Sequence, residues 1–326
     1  MRIGIFGYGN LGKACEKAIK LNPDMKLAAI FTRRSPESII PETDGVKVVS
    51  SYDVMNWIKR IDVMINCGGS ATDLPATTAF LARHFNVVDS FDNHEKINEH
   101  FLNVDASARE SGNVALISVG WDPGIFSLMR TYFSSFLPEG NVCTFWGKGI
   151  SQGHSEAIRH IHGVTDARQY TVPDEEAMEK ARNGSGQKMT PQEMHKRVCY
   201  VSTDEDAYED EIEEQIKNIP SYFLGYDTTV NFVSKEEIAE NHSRLYHGGY
   251  VISNGITDRN AENRALMEMR LNIDSNPEFT AGILLAYARA VFRASERSER
   301  GCKTVLDIAP ADLSPLTESE LRKTYI

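Results

Sequence analysis

Two groups of residues in this chain are of types and spacings that do chemistry. Gly7-Tyr8-Gly9-Asn10-Leu11-Gly12 is a G-x-G-x-x-G turn, and Thr32-Arg33-Arg34 follows about 20 residues later. In such a turn Gly7 makes the bend, Gly9 lets a pyrophosphate reach the backbone, and Gly12 lets helix and strand pack closely. The phosphates then sit on the positive end of the helix that starts near Asn10. An acid at the end of the next strand would hold a ribose 2′-hydroxyl and repel a 2′-phosphate. Here no acid comes before Glu37, and two guanidinium groups stand in its place. A guanidinium grips a phosphate with two charge-assisted hydrogen bonds and stacks on adenine. These residues point to NADP(H) rather than NAD(H).

The second group suits an amine. An enzyme that oxidises an amine must bind an ammonium, take its proton and deliver water to an imine. Asp92 and Asp122 are placed for the first two tasks, although aspartate in a turn serves equally as a loop cap. Trp121 and Trp146 lie beside polar loops, as apolar walls or as core. The stretch from Thr144 through Gly147, Gly149 and Gly153 to Ser155 is dense in glycine and small polar residues, so its backbone N–H groups can cradle a carboxylate. His154 within it reads as a proton carrier or as a hydrogen-bonded structural histidine.

The elements that must position these groups are legible. Apolar runs at 2–6, 27–31, 62–66, 86–88 and 114–119 alternate with helical patterns from Asn10, at 74–84 and at 96–111. Alternation of this kind with near-continuous apolar strands predicts a doubly wound parallel α/β sheet. Gly68-Gly69-Ser70, Asp89-Ser90-Phe91-Asp92 and Gly120-Trp121-Asp122-Pro123-Gly124 each follow a strand, and so converge on the ligand-binding rim of that sheet. Beyond residue 124 the rhythm changes. Strand-like runs at 142–146, 169–172, 198–201, 228–233, 249–252 and 266–273 have few helices between them, which predicts a second, mostly antiparallel α+β domain. A helix apolar on one face follows from 279 to 295. Residues 182–188 read as a surface loop.

With 326 residues, 41% of them hydrophobic, the chain is long enough for two domains and a sizeable core. Its net charge of −11 argues against nucleic acid or an anionic membrane as partner. Five cysteines, odd in number and without a C-x-x-C pair, fit reduced thiols in a cytoplasmic protein. Cys67 reads as a small buried hydrophobe. No run approaches about 18 apolar residues, and the first strand begins at residue 2, so neither a membrane span nor a signal peptide is expected. No metal site is expected. His160 and His162 diverge on a helix, and the eight acids among residues 204–214 read as a solvated helix face.

Taken with Gly69-Ser70-Ala71-Thr72-Asp73, Asp92-Asn93-His94, Ser151-Gln152-Gly153-His154-Ser155, Gln169-Tyr170-Thr171, His195-Lys196-Arg197, His247-Gly248-Gly249 and Asn276-Pro277, these motifs resemble the meso-diaminopimelate dehydrogenase family along essentially the whole chain. The resemblance implies a homodimer that oxidatively deaminates the D-centre of meso-2,6-diaminopimelate with NADP. It implies a Rossmann-type domain over 1–120, on which residues 300–326 pack back with a strand at 304–308, and a substrate and dimerisation domain over 121–299. Cofactor contacts carry over to Gly7, Gly9, Asn10, Leu11, Thr32, Arg33, Arg34, Ser70 and Thr72. Contacts to the reacting D-centre carry over to Asp92, Trp121, Asp122, Trp146, Gln152 and Gly153, with Asp92, Asp122 and His154 as catalytic candidates. Contacts to the distal L-centre carry over to Thr171, Arg197, His247 and Asn276. Leu245-Tyr246 stands where the family often has Met-Pro. Two rivals remain: a D-amino-acid dehydrogenase with a relaxed distal pocket, and a non-catalytic NADPH-binding sensor.

Overall fold

A computed structural model describes every residue except Gly186, Gln187, Leu245 and Ala261. Part of the loop expected at 182–188, and Leu245 of the Leu245-Tyr246 pair, therefore lie outside the described residues. The chain divides into two units, Met1–Leu128 with Pro277–Ile326, and Met129–Asn276. The boundaries expected at 120 and 299 differ from this division mainly in the helix after Asn276, which belongs to the first unit.

In chain order the first unit contains β1 (Arg2–Phe6), α1 (Asn10–Ile19), β2 (Lys26–Thr32), β3 (Lys47–Ser50), β4 (Val63–Asn66), α2 (Leu74–Ala82), β5 (Asn86–Asp89), α3 (Ile97–Ser111) and β6 (Val114–Leu116). Helix α4 (Ile125–Phe136) leads out of it. The second unit contains β7 (Asn141–Trp146), β8 (Gly149–Ile150), α5 (Gln152–Arg159), β9 (Val164–Pro173), α6 (Glu175–Asn183), α7 (Pro191–Met194), β10 (His195–Thr203), α8 (Glu209–Lys217), β11 (Asp227–Phe232), α9 (Lys235–Asn241), β12 (His247–Ile256) and β13 (Arg264–Ile273). The chain then returns through α10 (Asn276–Glu296) to β14 (Gly301–Lys303).

The first sheet is parallel throughout, in the order β14-β6-β5-β4-β1-β2-β3. This is the doubly wound order, and its connections diverge on either side of β1, so the loop after β1 opens at the topological switch point. The central strands are buried on both faces: Ile3, Ile5, Ile30, Phe31, Met64, Ile65, Val87 and Val88 are all inaccessible. That double burial is why their sequences are apolar runs rather than alternations. Strand β3 was not among the expected runs; it is short and only half-buried at the sheet's edge. The returning strand lies at Gly301–Lys303, earlier than 304–308, because Thr304 and Asp307 form a reciprocal capping box that curls those residues into a 3-10 turn.

Among its described residues the second unit holds two sheets rather than one, β11-β10-β9-β8 and β13-β12-β7. All pairs are antiparallel except β10 with β11. Among the described residues five helices, α5 to α9, stand between the strands, more than the sequence pattern suggests. They are short, between 4 and 9 residues, so their apolar periodicity is brief. Among the described residues no helix is long and apolar enough to cross a membrane.

Candidate active site

In the first unit the glycine turn is shaped by contacts that only hydrogen can make. Gly7 has φ +98°, and a Cβ on Gly12 would lie 2.2 Å from the Gly7 carbonyl oxygen. A Cβ on Gly9 would meet nothing within 4 Å, so the turn is open to a ligand at that point. Helix α1 begins at Asn10 with no side-chain cap and no acid in its first turn. Its leading N–H groups are thus left for an anion, and the residues fit a dinucleotide pyrophosphate.

A cavity of about 490 Å³ continues from the turn, lined by Tyr8, Thr32, Arg33, Arg34, Tyr52 and Asp73 among others. Arg34 Nη2 donates to the Tyr8 carbonyl at 2.5 Å, and the Arg34 N–H donates to Thr32 Oγ1 at 3.1 Å. Arg33 forms a two-pronged pair with Asp73, Nη1 to Oδ1 at 2.8 Å and Nη2 to Oδ2 at 3.1 Å. Asp73 Oδ2 also accepts the Gly69 N–H at 2.9 Å, which ties the arginine to the Gly69–Thr72 loop. Beneath the turn the Tyr8 hydroxyl donates to the buried Glu16 carboxylate, whose other oxygen accepts the Thr43 N–H. Burial alone would raise the Glu16 carboxyl, but these hydrogen bonds outweigh it and hold it below its ordinary value.

The two aspartate-bearing loops share one support. Asp89, fully buried at the end of β5, accepts the N–H groups of Phe91 (3.1 Å) and Ser118 (2.9 Å) on one oxygen. Its other oxygen accepts the Thr78 hydroxyl and His100 Nε2, both at 2.7 Å. Asp92 itself is exposed, and its N–H donates to Ser70 Oγ at 2.9 Å. Asp122 is half-buried in the turn closed by the bridge between Trp121 and Gly124. The Trp121 ring stands edge-on to Phe126 with centroids 5.4 Å apart.

In the second unit three strands place one row of residues in register, Arg197 on β10 beside Thr171 on β9 beside Gly149 on β8. Arg197 is buried, and its Nη1 donates to Thr171 Oγ1 at 2.6 Å. Its Nε has no hydrogen-bond partner, and among the described residues no carboxylate pairs with it. Burial lowers its pKa from the ordinary value. At the other end of the row Gly149 packs against His247, where a Cβ would lie 2.5 Å from the ring. Burial likewise lowers the His247 pKa. Asn276 stands at the first residue of α10.

Trp146 ends β7, and its backbone N–H donates to His195 Nε2 at 2.9 Å while the two rings stack at 5.2 Å. His195 Nδ1 meets the Pro191 carbonyl at 3.0 Å, so Nδ1 carries the proton and the imidazole is neutral. Burial pushes its pKa down to about 4. Ser151 caps α5, so Gln152 and Gly153 are exposed on its first turn. His154 Nδ1 hydrogen-bonds Ser151 Oγ at 2.5 Å. Burial, and then the nearby Arg197 charge, lower the His154 pKa to about 4.

The structure thus brings together Thr171, Arg197 and His247, and separately Ser70 with Asp92. Asp73, Asp89 and His195, which stand in the motifs named above without a role of their own, support the candidate residues from behind. An aspartate after a glycine loop or at a strand's end looks like any other turn residue. For His195 the signal was its place in the His195-Lys196-Arg197 motif.

A family model of the diaminopimelic acid dehydrogenase C-terminal domain matches residues 120–275. The chain is 52% identical to the meso-diaminopimelate D-dehydrogenase of Acetivibrio thermocellus, over all of this chain and 98% of that protein. It is similar to the Corynebacterium glutamicum DAP dehydrogenase solved in complex with DAP, with 41% identity and a TM-score of 0.92 over 100% and 99% of the two chains. It is also similar to an engineered D-amino acid dehydrogenase bound to NADP+, with 40% identity and a TM-score of 0.86 over the same shares.

Proposed function

Because this chain belongs to the meso-diaminopimelate D-dehydrogenase family, we propose that it oxidatively deaminates the D-centre of meso-2,6-diaminopimelate, with NADP+ becoming NADPH. The products are L-2-amino-6-oxopimelate and ammonium. The observation that carries the substrate assignment is Arg197, a buried guanidinium whose Nε lacks a partner and which has no resident carboxylate among the described residues. A buried cation is retained at a desolvation cost unless an anion joins it. The distal carboxylate of a diamino-dicarboxylate is such an anion, and Thr171, His247 and Asn276 complete its surroundings.

The cofactor, when bound, supplies the acceptor for the hydrogen and electron pair leaving the D-centre. Gly7, Gly9, Asn10 and Leu11 would hold its pyrophosphate, with Ser70 and Thr72 on the neighbouring loop, and Thr32, Arg33 and Arg34 would hold the 2′-phosphate end. Asp92 and Asp122 bind the reacting amine and orient its Cα–H. Asp122 takes the amine proton, which lets the nitrogen lone pair form the imine as the electron pair departs. Trp121 and Trp146 exclude bulk water from the reacting carbon, and Gln152 with Gly153 offers N–H groups to the proximal carboxylate. Water then adds to the imine and ammonium leaves. His154, pushed to about 4, is neutral at working pH and a weak base. It suits passing a proton from that water better than holding one. Homodimer assembly through the second unit and a cytoplasmic location belong to the same reading.

NADP+ reduction followed by nicotinamide absorbance tests it, with meso-, LL- and DD-diaminopimelate and simple D-amino acids as substrates. Turnover on the meso isomer alone is the expected result. Comparable rates on simple D-amino acids would favour the relaxed dehydrogenase, and tight NADPH binding with no turnover would favour the sensor.

A further inference from the structure

The second unit carries a group of aromatic residues that the mechanism above does not use. Tyr222, Phe223 and Tyr226 lie in the connection between α8 and β11. Phe223 is fully buried and anchors it, and the Tyr226 N–H donates to the Phe223 carbonyl at 2.9 Å. Tyr222 and Phe223 flank the His154 ring at 4.8 and 5.7 Å between centroids. Tyr226 does something different: the Arg197 guanidinium carbon lies over its ring, 4.0 Å from the centroid.

A buried guanidinium can be held in two ways. A resident carboxylate would grip its N–H edge and so occupy the donors that an incoming carboxylate needs. An aromatic ring attracts it through the face and leaves that edge available. This chain uses the ring. Arg197 gives one donor to Thr171, keeps Nε without a partner, and has no acid beside it among the described residues.

We infer that Tyr226 is a specificity-determining positioning residue for the distal end of the substrate. Its ring holds Arg197 by the face and presents the N–H edge to a second carboxylate, which makes a D-amino acid with a distal carboxylate the preferred substrate. The inference deepens the proposed function and rests on the role given there to Arg197. Loss of the ring leaves the guanidinium free to turn towards solvent, and the substrate that loses most is the one with the distal carboxylate.

The test compares kcat/KM for meso-diaminopimelate with that for D-alanine, which has no distal carboxylate, at saturating NADP+ in the full-length enzyme. Tyr226→Leu lowers the meso-diaminopimelate to D-alanine ratio by about tenfold or more, the scale of one desolvated cation–π contact. Tyr226→Phe, which keeps the ring, retains most of that ratio. Tyr226→Glu supplies a resident carboxylate to Arg197 and lowers the ratio at least as far, and it keeps the test open should the leucine variant fail to fold. An unchanged ratio in folded Tyr226→Leu or Tyr226→Glu overturns the inference. Arg197→Met is run beside them. If it too leaves the ratio unchanged, the role of Arg197 itself is wrong. If it lowers the ratio while the folded Tyr226 variants do not, only the role of Tyr226 falls.

Discussion

The Ser118 backbone N–H donates to the Asp89 carboxylate at 2.9 Å, joining the end of β5 to the loop that leads to Asp122. The same oxygen accepts the Phe91 N–H, one residue before Asp92, so a single buried carboxylate braces both loops that carry the aspartates we propose for the amine. Asp89→Leu removes the acceptor for four donors. Each buried donor left unmade costs about 1–3 kcal/mol, and partial relaxation makes a net loss on the order of 3 kcal/mol the expectation. Urea unfolding measures it, and a loss below about 1 kcal/mol would show that the brace contributes little to the fold.

Arg33→Ala removes one of the two guanidinium groups assigned to the 2′-phosphate. The expected loss in kcat/KM with NADP+ is about 1.5–3 kcal/mol of binding, the scale of hydrogen bonds to a charged group, and much less with NAD+. Parallel steady-state kinetics with the two cofactors checks this. Equal losses would move the 2′-phosphate away from Arg33 and leave Asp73 as its structural partner.

The glycine turn allows a sharper separation of folding from binding. Gly9→Ala adds a methyl that meets nothing within the chain, so its thermal midpoint stays near that of the parent while NADP+ affinity falls. Gly12→Ala pushes a methyl to 2.2 Å from the Gly7 carbonyl and loses both. Calorimetry for stability and titration of NADPH fluorescence for binding distinguish the two. Unchanged NADPH affinity in Gly9→Ala would remove that backbone from the pyrophosphate site.

Arg197→Ala should weaken use of meso-diaminopimelate by about 1.5–3 kcal/mol in kcat/KM. Most of this falls on KM, since the distal carboxylate is bound alike in ground and transition states. An effect confined to kcat would point instead to a role at the reacting carbon.

His154 and His195 titrate near 4 in the folded protein, against about 6.5 when unfolded. The unfolded chain therefore binds more protons between those values. Their contribution to stability is complete above about pH 6.5 and is lost as pH falls towards 4, by at most about 1.4 kcal/mol per pH unit for each histidine. Thermal midpoints measured from pH 7 to 4.5 should fall, and His195→Asn, which keeps a polar group opposite the Trp146 N–H, should fall less steeply. Identical slopes in parent and variant would place the acid sensitivity elsewhere.

Much of this protein is legible in local pattern. Contiguous apolar strands and a glycine turn determine a doubly wound sheet, and the arginines at the end of β2 carry the proposed 2′-phosphate preference, because each depends on residues near one another in the chain. The motifs shared along the full length do the same for the family. What the tertiary structure decided are the relationships across long separations: Asp73 on Arg33, Asp89 under two loops, the Arg197–Thr171–Gly149 row, and Tyr226 over Arg197. It also decided that the second unit has two sheets with short helices between them, which leave only a brief periodicity. The physical reason is the same in each case. A buried polar or charged group is satisfied by whatever the fold brings within hydrogen-bonding or stacking distance, and the identity of that partner is set by strand register and loop packing, which no local run of residues encodes.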